Sequence, residues 1–221
     1  MSTFSTPYGP ETETSAGASL YSRVAVCFVF SCVATALGAY AGRDLSSGAY
    51  LVAVIAFFAS YVVLFLVRKI ETINVIALLA FTFIAGLTIG PTIAQYTSVP
   101  GGGRVLADAM LLSAMVFSGS AAFGWMTSAN LEGLSRYLTA ALFVLIGFGL
   151  LLMFFITSRT AEIAYDLGIM VVFVGYTAVD FQRIRTRYEP SDYILVTAMI
   201  YLDALNLFLA LLDLLGGNRR D

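Results

Sequence analysis

Seven stretches of nearly unbroken hydrocarbon, each about twenty residues long, leave this chain little choice of fold. They run roughly Val24–Ala41, Ala49–Val67, Ile73–Ala94, Val105–Trp125, Leu138–Ile156, Ile163–Val179 and Ile194–Leu215. About twenty helical residues cross a hydrocarbon layer roughly 30 Å thick. No water inside that layer can bond a bare backbone, so a spanning segment must be a helix or part of a closed barrel. None of the seven alternates with period two, which excludes barrel strands. Only 12% of the residues are charged, against about 25% in a soluble domain. The expectation is an all-α polytopic membrane protein, a seven-transmembrane-helix bundle occupying residues 21–217.

Residues 1–20 are rich in Ser, Thr, Pro and Gly, carry only Glu11 and Glu13 as charges, and read as a disordered tail. They lack the basic start and apolar middle of a signal peptide, so membrane targeting falls to the first span. The net charge of −2 and the lack of a basic patch exclude a nucleic-acid partner. Lys and Arg in the short connections set the orientation. With the amino terminus inside, the inner face holds Arg23, Arg68, Lys69, Arg136, Arg183, Arg185 and Arg187, and the outer face Arg43, Arg104 and Arg159. Seven against three favours an amino terminus in the cytoplasm. Arg219 and Arg220 oppose this if the last stretch crosses fully, and leave open a last stretch that turns back within the membrane. No organelle signal stands at either end, and a bacterial inner membrane is the expected location.

Against this apolar background the acids are conspicuous. A carboxylate at mid-bilayer costs about 2.5–3.5 kcal/mol on insertion scales, and intramembrane acids are therefore candidates for ion pathways, proton relays or gates. Asp180 ends the sixth stretch. Asp203 lies eleven residues beyond Asp192, roughly 16 Å into the seventh by helical rise. Arg68 ends the second stretch at the same face as Asp180, so Arg68, Asp180 and Asp203 are expected to converge in the inner half of one bundle. Asp166 precedes Asp180 by fourteen residues, about 40° short of four turns, so both share a face of the sixth helix. Tyr176 lies one turn before Asp180, and Asn206 one turn after Asp203. These three are expected to support or line a pathway. Plainer readings stand beside these. Asp180 reads also as an interfacial residue solvated by Arg183, Asp203 as a structural acid bonded to a hydroxyl or to Asn206, Asp166 as an outer-interface acid, Tyr176 as a packing aromatic, and Arg68 as a topology signal shared with Lys69. Asp108 and Asp213, close to span ends, read as interfacial.

Other classes find less support. The chain has no histidine, so it has no ordinary Ser–His or Cys–His catalytic pair and no His-based zinc site. No enzyme activity and no bound cofactor are expected. Its one lysine, Lys69, ends the second span, which leaves no Schiff-base amine in the seventh. Cys27 and Cys32 lie about 140° apart on a helix and read as small packing residues.

The sequence Tyr201-Leu202-Asp203-Ala204-Leu205-Asn206-Leu207-Phe208-Leu209 resembles the closing signature of the Bax inhibitor family. Gly86-Leu87-Thr88-Ile89-Gly90-Pro91 is similar to the family's third-span Gly-rich motif, and Asp180 before a basic loop matches its sixth-span aspartate. The likeness spans about residues 20–217 and implies a seven-helix fold with the last helix central. It also implies a pH-sensitive calcium leak or a suppressor of cell death, with a membrane-bound ATP-dependent protease as partner for some bacterial members. By position, Asp180 and Asp203 would share protons and form a weak calcium site, and Arg68 would latch onto Asp180 in a closed form. Val179 stands where the family usually has Tyr, and the second span lacks the acid that some calcium-leak relatives carry. Without imidazole, a pH response near neutrality has to come from carboxyl groups that hold a proton between them in a poor dielectric. The alternative is an interaction protein that modulates a membrane protease or a stress pathway without conducting ions. A proton-coupled carrier is a third class.

Overall fold

The computed structural model describes residues 10–155 and 158–217, with side chains from Leu20 onward other than residue 153. Seven long helices follow one another: α1 (Pro10–Gly42), α2 (Ser47–Val67), α3 (Ile73–Ser98), α4 (Gly102–Met126), α5 (Glu132–Phe154), α6 (Arg159–Thr186) and α7 (Tyr193–Gly216). A single turn of 3₁₀ helix, Pro190–Asp192, links the last two. All seven are long and apolar enough to cross a membrane, and no strand occurs among the described residues. α1 begins within the stretch read as a tail. Its first residue is Pro10, a position where the missing N–H breaks no helical bond. Residues 1–9, and the Arg219 and Arg220 that opposed the orientation count, lie outside the described residues. α7 is one uninterrupted helix, so within the described residues it does not turn back.

Two helices run further than their apolar runs. α6 extends from Arg159 to Thr186, taking Arg183 and Arg185 into its last turn instead of a loop. Cations there complement the negative end of the helix dipole. α5 starts at Glu132, six residues before Leu138, with an acid in its first turn for the converse reason. The Asn130 side-chain oxygen accepts the Glu132 N–H at 2.9 Å and helps to start it.

α7 occupies the centre. It packs on α6, α4, α1 and α3, and 56% of its span is buried, against 6% for α5 and 11% for α2 at the periphery. α1 and α3 form the closest helix pair, held by two glycine pairs. Gly38 and Gly42 of α1 face Gly86 and Gly90 of α3. A Cβ on Gly90 would lie 2.7 Å from the Ala39 carbonyl oxygen, so only glycine fits. Lipid tails are as apolar as Leu, so helices in a bilayer associate by such close backbone packing and not by burying hydrocarbon. Pro91 lies inside α3 and cannot bond the Leu87 carbonyl one turn back. That carbonyl lies against Gly42 of α1.

Candidate functional site: a buried acid pair between α6 and α7

The end of α6 that carries Asp180 is positioned by the α4–α5 connection. The Gln182 amide donates to the Ala129 carbonyl (2.6 Å) and its oxygen accepts the Leu131 N–H (2.8 Å). Arg185 donates to the Thr127 carbonyl at 3.0 Å. This brings the first turn of α5 against the last turn of α6, where Arg183 donates to both Glu132 oxygens (3.1 and 3.0 Å) and to the Ser135 hydroxyl (3.0 Å). Arg187 adds a second cation, 3.1 Å from Glu132. Charge-assisted, two-pronged pairing of this kind fixes a guanidinium in direction as well as place.

One turn before Arg183, Asp180 is only 3% exposed, and its Oδ1 lies 3.5 Å from the Arg183 Nη1. Asp203, 4% exposed, comes from the facing helix, close enough for the Asp180 charge to act on it, with the Thr177 hydroxyl beside it. Thr177 donates its own hydroxyl hydrogen to the Phe173 carbonyl at 2.8 Å. Asp180 Oδ1 and Asp203 Oδ2 each have no hydrogen-bond partner and almost no contact with solvent. A buried polar atom normally has a partner, and leaving one bare costs about 1–3 kcal/mol, more for a charged group. With Asp180 Oδ1 met only by the long Arg183 contact and Asp203 Oδ2 by no donor, the pair carries an electrostatic cost that a shared proton or a visiting cation would remove. Just past the helix end, the Tyr188 phenol is pushed above its usual range, first by burial and then by the Asp180 carboxylate.

The remaining residues singled out in the sequence divide. Asp166 is 6% exposed, as the shared helical face predicted. Tyr176 turns from the stripe to α5, where its hydroxyl meets that of Thr139 at 2.9 Å. Asn206 is half-buried and donates to the Leu202 carbonyl of its own helix at 2.7 Å. Arg68 does not reach Asp180, because α2 packs on α3 and not on α6. Its guanidinium stacks 3.8 Å from the Phe65 ring, and its Nη1 is buried without a hydrogen-bond partner. Its carbonyl accepts from Asn74 (3.1 Å), whose oxygen accepts from the Tyr193 hydroxyl (3.3 Å). The guanidinium beside Asp180 is that of Arg183.

Two features had no signal in the sequence reading. The Tyr201 and Thr35 hydroxyls meet at 2.6 Å, and the Thr35 oxygen also lies 3.0 Å from the Thr82 carbonyl, tying α7, α1 and α3 together. At the opposite end of the bundle the Tyr96 hydroxyl donates to Asp213 at 3.0 Å, and Arg159 donates to the Asp213 carbonyl at 3.3 Å. Among the described residues no three acids or cysteines converge on one point. The Asp180–Asp203 pair therefore falls short of the six to eight oxygens that calcium takes in a resident site.

A helical membrane bundle with a buried acid pair at its central helix is the class of protein defined so far. The chain matches the family model "Inhibitor of apoptosis-promoting Bax1" over residues 18–220 and belongs to the Bax inhibitor family. It is 32% identical over 74% of its length to Bax inhibitor 1 of Schizosaccharomyces pombe, covering 60% of that protein. It is 29% identical over 85% of its length to an uncharacterized Campylobacter jejuni protein, covering 84% of it. An uncharacterized membrane protein of Vibrio cholerae is 35% identical over 62% of this chain and 60% of its own length. The chain thus spans three-fifths of the yeast relative and most of the Campylobacter one.

Proposed function

We propose that the protein is a pH-sensitive leak pathway for cations, calcium among them, gated by a proton that Asp180 and Asp203 share. The observation that carries this reading is the pair of buried carboxylates on adjacent helices, Asp203 with one oxygen lacking a donor and Asp180 with one met only by Arg183 at 3.5 Å. With both ionised, the pair is a concentrated negative charge in a poor dielectric and attracts a cation, but holds it with too few oxygens to retain it. With one proton between them the charge is halved and the attraction falls. The charged groups around the pair are Arg183 on α6, which Asp180 and Glu132 share, and Arg187 behind it. Protonating Asp180 leaves Arg183 to Glu132 alone, so the junction of α5 with α6 keeps its pair while the hold of Arg183 on Asp180 is lost.

Arg68 supplies a further cation at the same end, with one nitrogen unsatisfied. A conformation that swings α2 from α3 toward α6 would bring it to Asp180 as a latch. We read the protein as non-enzymatic, with calcium and protons as permeant species rather than cofactors. We place it in a bacterial plasma membrane; its amino terminus is taken as cytoplasmic on the distribution of Lys and Arg.

Purified protein in lipid vesicles tests this. Calcium entry should exceed that of protein-free vesicles and change with pH, with potassium and proton flux measured alongside to give selectivity. Vesicles no leakier than empty ones at every pH would overturn the channel reading and leave an interaction protein, such as a modulator of a membrane protease, in its place.

A further inference from the structure

A cleft of about 570 Å³ opens along the half of the bundle that contains the carboxyl-terminal end of α1. That volume is within the range of sites that enclose a small ligand. α1 and α4 form its two sides, α3 and α7 its floor. α1 packs on α3 and α7 but not appreciably on α4, so the cleft opens sideways between two membrane-spanning helices, where bilayer chains lie. Phe28, Ile93, Leu106, Met110, Leu205 and Phe208 supply hydrocarbon walls.

The polar atoms in the depth of the cleft have partners already. The Thr35 and Tyr201 hydroxyls bond each other, and the Ser113 hydroxyl donates to the Met110 carbonyl at 3.0 Å. A polar solute entering the cleft would find nothing there to replace its water, whereas an alkyl chain loses nothing. At the mouth stands Arg43, the one charged residue lining the cleft. Its guanidinium lies 4.4 Å from the Tyr40 ring and its side chain is half exposed. Its partner is the neighbouring Asp44, 3.0 Å away and 83% exposed, a solvated pair of the kind worth little. A guanidinium presents a planar fork of donors that matches a phosphate.

We propose that this cleft is a binding site for an anionic phospholipid of the surrounding bilayer, with one acyl chain between α1 and α4 and the phosphate on Arg43. The apolar depth selects a lipid, and the lone cation at the rim selects an anionic one. The site uses the Tyr201, Ala204, Leu205 and Phe208 side of α7, and it stands whether or not the acid pair gates a cation.

The test is native mass spectrometry of the purified protein equilibrated with equal amounts of phosphatidylglycerol and phosphatidylcholine carrying the same chains. Wild type should retain phosphatidylglycerol over phosphatidylcholine by about fivefold, the preference expected of one arginine at a membrane surface. Arg43→Gln should equalise the two. Arg104→Gln, at an exposed arginine of the same end that does not line the cleft, should leave the preference intact. Filling the cleft with Ala36→Phe, or from the opposite wall with Met110→Trp, should reduce retention of both lipids. Both positions are exposed, so the added bulk meets no packed neighbour, and monodisperse elution confirms folding. Equal retention by wild type, an undiminished preference in Arg43→Gln, or undiminished retention in folded cleft-filling variants would each overturn the proposal.

Discussion

Asp203 and Asp213 sit ten residues apart on the same helix in opposite circumstances. Asp213 is half-buried at a helix end, its carboxylate accepts from Tyr96, and Arg159 holds its carbonyl. Asp203 is buried at mid-helix with a bare oxygen and another acid across from it. An acid with its own donors at a span end is a fastening, whereas one that is buried and only partly satisfied is costly unless its charge changes. A packing role therefore explains Asp213 and leaves the cost of Asp203 unexplained.

The comparison is most exposed to failure at Arg183, which is shared by Asp180 and Glu132. Truncation in Arg183→Ala strips Asp180 of its cation, leaves Glu132 with Arg187 alone, and should lower unfolding stability in detergent by about 3 kcal/mol, as breaking a buried pair does. A loss near zero would mean that the α5–α6 junction holds without it. A smaller effect is expected where the acid is a fastening. Tyr96→Phe removes one donor from Asp213 and should cost about 1 kcal/mol in the same melt without altering any pH response of flux. If flux lost its pH dependence in that variant, the two ends of α7 would not be separate in function. Tyr201→Phe, which removes the hydroxyl that meets Thr35, should cost about 0.6 kcal/mol, the average for a hydrogen bond between membrane helices. Asp203→Asn sharpens the contrast by direction more than size. It removes charge at constant shape from a group with few partners, and stability should stay within about 0.5 kcal/mol of wild type or rise. A drop as large as that of Arg183→Ala would show Asp203 to be a structural anchor like Asp213.

Much of this architecture is legible in the chain itself because the bilayer imposes it. Apolar runs of span length must be helices, and the seven stretches correspond to α1–α7. Helical periodicity alone placed Asp166 on the buried face with Asp180, and both are buried. What stayed hidden depends on which helix lies beside which. Glu132, the main partner of Arg183, is 51 residues away and precedes an apolar run that gave no sign of starting so early. Arg68 shares a membrane face with Asp180 but sits on a helix that packs elsewhere. Tyr176 has the spacing to join the acid stripe and instead reaches Thr139, because spacing gives a direction on one helix and not the neighbour found there. The Gly86–Pro91 motif of α3 stood out in the sequence, yet nothing there identified Gly38 and Gly42 of α1 as the surface that meets its glycines.

The central claim is that Asp180 and Asp203 act as one proton-holding unit. Calcium flux into vesicles, followed across a pH series for wild type, Asp180→Asn and Asp203→Asn, tests it most directly. The account predicts a pH-dependent flux in wild type that flattens in both single variants, since either amide dismantles the shared site. Unchanged pH dependence in both variants would contradict it.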